Sequence, residues 1–137
     1  MLISHLPAGY LATKIFINKV AMSKPIDIKT IWIFGLLFSI APDFDLFYFY
    51  FVDSSLHHHK LFPHIPLFWV VVFIPVFILS RYLDNVRLFY IALVSSINVF
   101  LHLILDTFVG FVWWLYPIID HPYYFWSKYQ QITVTGF

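Results

Sequence analysis

Cysteine is absent from the chain, and so is glutamate. The first absence excludes disulfides and thiolate metal sites. The second leaves Asp27, Asp43, Asp45, Asp53, Asp84, Asp106 and Asp120 as the only side-chain carboxylates. Charge of either sign is scarce. Only 11% of the 137 residues are charged, where a soluble domain carries about a quarter. The net charge of +1 offers no electrostatic footprint for nucleic acid, and none is expected as a partner. The start, MLISHLPAGYLATKIFINK, lacks a basic region ahead of an apolar core, and Lys14 and Lys19 interrupt it, so it reads as a poor signal peptide.

What fills the space is apolar: 61% of residues are hydrophobic and 23% aromatic, and mean hydropathy is +0.83. The length suits one domain, residues 1–137. A domain this small leaves much of its surface in water and cannot hide so much apolar surface in one core. Lipid is the natural solvent, and membrane lipids are the first expected partner. The fold class that follows is all-α, an integral membrane helical bundle with three to four spans and an N-terminal amphipathic helix.

Residues 8–22 space Tyr10, Leu11 and Ile15 at near-helical intervals between lysines, the pattern of a helix lying on the membrane surface, and Pro25 ends it. A span needs about 20 apolar residues. Residues 28–51 reach that length only by including "APDFD" (41–45). Residues 65–80 read as a second span kinked at Pro75, and residues 88–105 as a third. FVGFVWWLYPII (108–119) reads as a fourth, short or re-entrant, before an aromatic tail suited to the interface. Lys14, Lys19, Lys24, Lys29, Arg81 and Arg87 flank these spans on one side, against Lys60 alone on the other. The positive-inside rule then puts the N-terminus and residues 81–87 in the cytoplasm and the loop before residue 65 outside.

Ionisable groups at membrane depth are costly, and they are usually paired or functional. In PDFD, Pro42 breaks the helix, so Asp43 and Asp45 can converge although two-residue spacing in a helix would part them. The plainer reading is a turn with Asp43 as a helix cap. In HLILD, His102 and Asp106 stand four apart and share a helix face, which suits a metal pair or simply a self-satisfying polar pair. HHHKLFPH (57–64) gathers four of the seven histidines, and Pro63 forces a loop that can turn His59 and His64 toward one centre. All three segments fall at the outer end of their spans. His5 precedes the lysines and by this topology falls on the other side. Either the N-terminal segment enters the bilayer, or the orientation is reversed, or His5 is no ligand.

The set "SHLPAGYL" (4–11), "PDFD" (42–45), "HKLFPHI" (59–65) and "HLILDTFVGFVWWLYP" (102–117) spans most of the chain. In order and spacing it resembles the LexA-binding, inner-membrane-associated metal-dependent hydrolases, a family of small bacterial membrane proteins. The resemblance implies His5, Asp43, Asp45, His59, His64, His102 and Asp106 as metal ligands, and a place in the bacterial inner (cytoplasmic) membrane. This chain has Lys60 where the family has arginine, Pro63 where it has threonine and Ile65 where it has serine. Lysine keeps the charge but loses the planar fork, and the missing hydroxyls remove supporting hydrogen bonds.

Nitrogen and oxygen ligands suit Zn²⁺ first, with Mn²⁺, Fe²⁺ and Ni²⁺ also compatible, as one ion or two. The expected activity is hydrolysis of an ester or phosphoester, lipid-linked because the site is reached from the bilayer. Asp43 or Asp45 would act as bridge or general base, and Lys60 would steady an anionic substrate. The alternatives are a metal or proton transporter using the same residues, and a non-catalytic membrane protein that binds a partner.

Overall fold

The computed structural model describes residues 2–20, 27–45 and 62–125, with side chains from His5 onward. The described residues form four helices: α1 (Leu2–Val20), α2 (Ile28–Ile40), α3 (Pro66–Tyr82) and α4 (Val86–Val109). A short 3₁₀ helix (Ala41–Phe44) continues α2, and another (Phe62–His64) leads into α3.

Local chemistry sets most of these ends. Asp27 caps α2, its carboxylate accepting from the Lys29 amide at 3.1 Å and the Thr30 hydroxyl at 2.5 Å. Pro42 has no backbone N–H to continue the α-helical ladder, and there the chain tightens from α to 3₁₀. Pro66 opens α3, where its missing N–H costs nothing. The end of α3 is a Schellman closure. Asp84 takes the left-handed conformation (φ 47°), and the Asn85 amide returns to the Ser80 carbonyl at 2.9 Å. Asn85 then caps α4 by accepting from the Leu88 amide at 2.9 Å.

The helices alternate in direction, and α4 packs against the other three. Trp69 and Phe73 of α3 meet Ala92, Val99 and Leu103 of α4, with Phe38 of α2 closing over them. A second cluster joins Phe16, Ile31 and Val94. Between them α1 and α2 cross at very short range. Gly9 and Thr13 of α1 face Ser39 and Gly35 of α2, and a Cβ added to either glycine would overlap the opposing side chain. Asn98 of α4 completes this seam, donating to the Thr13 hydroxyl at 3.1 Å and the Val94 carbonyl at 2.9 Å. Small residues four apart, helped by an interhelical amide, are how helices associate when lipid removes any hydrophobic preference for one another.

This seam corrects the expectation for the N-terminus. The helix begins at Leu2, not near residue 8, and lies lengthwise along α2 and α4. Its buried stripe is His5, Gly9, Thr13 and Phe16, while Tyr10, Leu11 and Ile15 face outward, each around half exposed. An apolar stripe marks the inward face only when water is outside. The N-terminus is therefore also not beside the cationic end: fourteen residues of helix put His5 about 21 Å from Lys19. Residues 108–119 likewise form no helix beyond Val109. Gly110 ends α4, and the chain folds back through an antiparallel bridge between Val112 and Tyr123, with a cis Tyr116–Pro117 bond between. Helix α3 runs on through Pro75 without interruption.

Among the described residues one helix, α4, is long and apolar enough to cross a bilayer, with 24 residues and a mean hydropathy of 2.1 in its best window. At 17 residues, α3 spans about 25 Å, short of a hydrocarbon core of about 30 Å. Yet its outward positions Val71, Ile74 and Ile78 are apolar and more than half exposed, where a helix facing water would be polar.

Replacing Gly35 by leucine should force α1 and α2 apart and lower stability by about 1–3 kcal/mol, as overpacking does. Leu11→Ala, on the outer face of α1, should cost much less. Thermal unfolding of both variants in mild detergent checks the ranking; equal losses would contradict the seam.

Candidate metal centre

Alternation brings four chain segments to one end of the bundle: the start of α1, the turn after α2, the turn before α3 and the last turns of α4. Each contributes an ionisable side chain that is almost fully buried. His5, Asp43, Asp45, His64, His102 and Asp106 are all 6% exposed or less. The expected pair on α4 is present, with His102 Nε2 3.0 Å from Asp106 Oδ2. The other Asp106 oxygen lies 3.0 Å from His5 Nε2. His64 Nε2 approaches Asp106 Oδ2 at 3.3 Å and Asp43 Oδ1 at 3.9 Å, and His102 Nε2 stands 3.7 Å from that same Asp43 oxygen. The His5 and His102 rings stack with centroids 3.8 Å apart.

The PDFD turn works as the sequence suggests, with one difference. Asp43 and Asp45 converge on a single imidazole from its two edges, not on a single point. Asp43 faces Nε2 of His64, whereas Asp45 Oδ2 sits 2.5 Å from Nδ1 on the far side of the ring. His102 is held in the same sense: its Nδ1 lies 2.7 Å from the Ser39 carbonyl oxygen and donates to it. In both rings Nδ1 is occupied and Nε2 is turned toward the carboxylates. His59 and Lys60 lie outside the described residues.

Several of these atoms lack hydrogen-bonding geometry despite their closeness. His5 Nε2, His102 Nε2, Asp43 Oδ2 and Asp106 Oδ2 are buried without a hydrogen-bond partner among the described residues. Orphaned buried polar atoms are rare and call for a ligand. First-row divalent ions bind nitrogen and oxygen at about 2.0–2.2 Å, which puts neighbouring ligand atoms roughly 3–3.5 Å apart. The 3.0–3.9 Å separations found here bracket that spacing. Two overlapping triads meet the requirement: His5, Asp43 and His102; and His64, His102 and Asp106, the ligand atoms within each lying no more than 4.8 Å apart. His/Asp groups of the chain could therefore hold a metal ion.

Charge points the same way. Three carboxylates share this buried space with imidazoles that are neutral at their ordinary pKa, and unpaired buried charge is costly. Burial alone would strip a proton from His64, but the neighbouring Asp106 and Asp45 carboxylates outweigh it and raise its pKa to about 9. A cation would take the place of that proton.

Some supporting residues carry no signal that a sequence shows. Trp69 donates to the Pro63 carbonyl at 2.7 Å and so pins the turn that presents His64. Thr107 accepts from Trp114 at 3.0 Å while its hydroxyl donates to the Leu103 carbonyl at 2.8 Å, fastening the chain after Gly110 to the end of α4 beside Asp106. Ser39 acts through its main chain, which no side-chain motif can mark. Asp27, Asp84 and Asp120 lie outside the cluster.

No family model matches the chain, and no curated protein or solved structure is similar enough to count as a relative.

Because His64 is protonated below about 9, a cation at Nε2 must displace a proton. Apparent Zn²⁺ affinity should then rise about tenfold per pH unit between pH 6 and 8 for one proton released, and level off above 9. Competition titrations against a chelator of known affinity check this; a flat profile would contradict it.

Proposed function

We propose that this protein is a membrane-embedded, metal-dependent hydrolase acting on an ester or phosphoester carried by a lipid-like substrate. The observation that carries the reading is the convergence of His5, Asp43, His64, His102 and Asp106, all buried, with orphaned nitrogen and oxygen atoms on His5, Asp43, His102 and Asp106. The resemblance of the four motifs to the inner-membrane hydrolase family supports the same activity and a bacterial inner-membrane location. In this reading α1 and α3 join α4 as bilayer-spanning helices. The largely apolar outer faces of α1, which also exposes Lys14, and of α3 support that, and so do the exposed Lys19, Lys29, Arg81 and Arg87 at the end opposite the site, where Arg87 pairs with Asp27.

Zn²⁺ best suits the ligands, which are all nitrogen and oxygen; bound there, such an ion supplies Lewis acidity toward a water and toward an ester oxygen. His5, His64 and His102 would offer Nε2, and Asp43 and Asp106 a carboxylate oxygen each. Asp43 would also serve as a proton acceptor, since its Oδ2 makes no hydrogen bond among the described residues. Lys60, four residues before His64, would steady an anionic substrate.

A second reading, passage of a metal or proton, draws on polar residues buried deeper in the bundle. Thr13, Ser95 and Asn98 are almost fully buried, and Ser95 Oγ and Asn98 Oδ1 have no hydrogen-bond partner among the described residues. Transport predicts metal uptake into proteoliposomes without turnover of any ester.

Elemental analysis of protein purified in mild detergent should find Zn²⁺ or a related ion, and His102→Ala and Asp106→Ala should each weaken its binding at least 100-fold. A chelator should abolish hydrolysis of a short-chain lipid phosphoester, and added Zn²⁺ should restore it. Metal-free wild type, or activity indifferent to the chelator, would refute the reading.

A further inference from the structure

The PDFD turn presents two carboxylates to His64, and their placement separates their roles. We propose that Asp45 is not a metal ligand but a positioning residue that fixes the tautomer and orientation of His64. This rests on the metal-centre reading above.

Asp45 Oδ2 lies 2.5 Å from His64 Nδ1, and both side chains are 1% exposed. At that distance Nδ1–H donates to the carboxylate, so a cation that displaces the other ring proton meets the lone pair of Nε2. Nε2 is the nitrogen that faces Asp43 and Asp106. The two nitrogens of an imidazole point away from each other. A zinc ion about 2.1 Å from Nε2 would lie more than about 6 Å from Asp45 Oδ2, three times a coordination bond. Asp45 cannot touch the same ion while it holds His64 in this way. Its other oxygen makes no hydrogen bond among the described residues, so the imidazole is the main partner of the side chain.

The three histidines then form a graded series. His64 is oriented by a buried carboxylate, and His102 by the neutral Ser39 carbonyl at 2.7 Å. His5 has no hydrogen bond on either nitrogen among the described residues and rests against the His102 ring. A carboxylate behind an imidazole fixes the ring and raises its basicity as a ligand, and removing such partners commonly costs 10–100-fold in metal affinity. The turn supplies both functions from one short segment: Asp43 toward the centre, Asp45 behind it, with buried Pro42 setting the bend.

The test combines tautomer and affinity. In ¹⁵N-histidine spectra of zinc-loaded wild type in detergent, His64 should show a protonated Nδ1 and a metal-bound Nε2. Asp45→Ala should bind zinc at unchanged stoichiometry with affinity reduced 10–100-fold. Asp45→Asn, whose amide oxygen can still accept from Nδ1, should recover part of that loss. Zinc on Nδ1 of His64, or full affinity in Asp45→Ala, would overturn the proposal even if Asp45→Ala folds poorly, because the wild-type spectrum decides alone. A wild type that takes up no zinc would instead defeat the metal centre itself.

Discussion

Charge buried in an apolar bundle must be matched, and that constraint organises this protein. Asp43, Asp45 and Asp106 lie at one end of helices whose outer faces are apolar, each nearly inaccessible. Three imidazoles meet them, and an imidazole balances a carboxylate only while it holds a second proton. The short α1–α2 crossing at Gly9 and Gly35 carries His5 into the group. Trp69 fixes the turn that presents His64, and the chain after Gly110 secures the α4 end that carries His102 and Asp106. These features are costly or unusual singly, and a shared cation accounts for them together.

The division of labour within the centre follows from which ring nitrogen is occupied. Backbone and carboxylate acceptors take the Nδ1 atoms of His102 and His64, leaving Nε2 to converge. The bundle is thus asymmetric along its length: carboxylates and imidazoles buried at one end, exposed Lys19, Lys29, Arg81 and Arg87 at the other. In the membrane-embedded reading proposed above, that asymmetry would put the candidate metal site near one face of the bilayer and the cations at the other.

Local spacing was readable where one helix or turn settles the geometry. His102 and Asp106, four apart, are in contact, and Pro42 does let Asp43 and Asp45 reach a common partner. Expectations failed where the answer depends on which elements pack together. His5 looked misplaced because the direction of α1 cannot be read from its own residues. Its apolar stripe Tyr10, Leu11 and Ile15 faces outward because the close crossing with α2 takes up the face carrying Gly9 and Thr13. Gly9 with Thr13, and Gly35 with Ser39, repeat at the spacing of helix contacts, a signal visible in the sequence but meaningful only once both helices are known to pair. The run 108–119 is as apolar as a span, yet Gly110 and the bridge from Val112 to Tyr123 turn it back.

The most direct measurement is X-ray absorption at the zinc edge of the loaded, detergent-solubilised protein. The account requires nitrogen and oxygen scatterers at about 2.0–2.2 Å together with the outer-shell signature of several imidazoles. A spectrum of hydrated zinc without imidazole scattering would mean that His5, His64 and His102 do not gather around an ion.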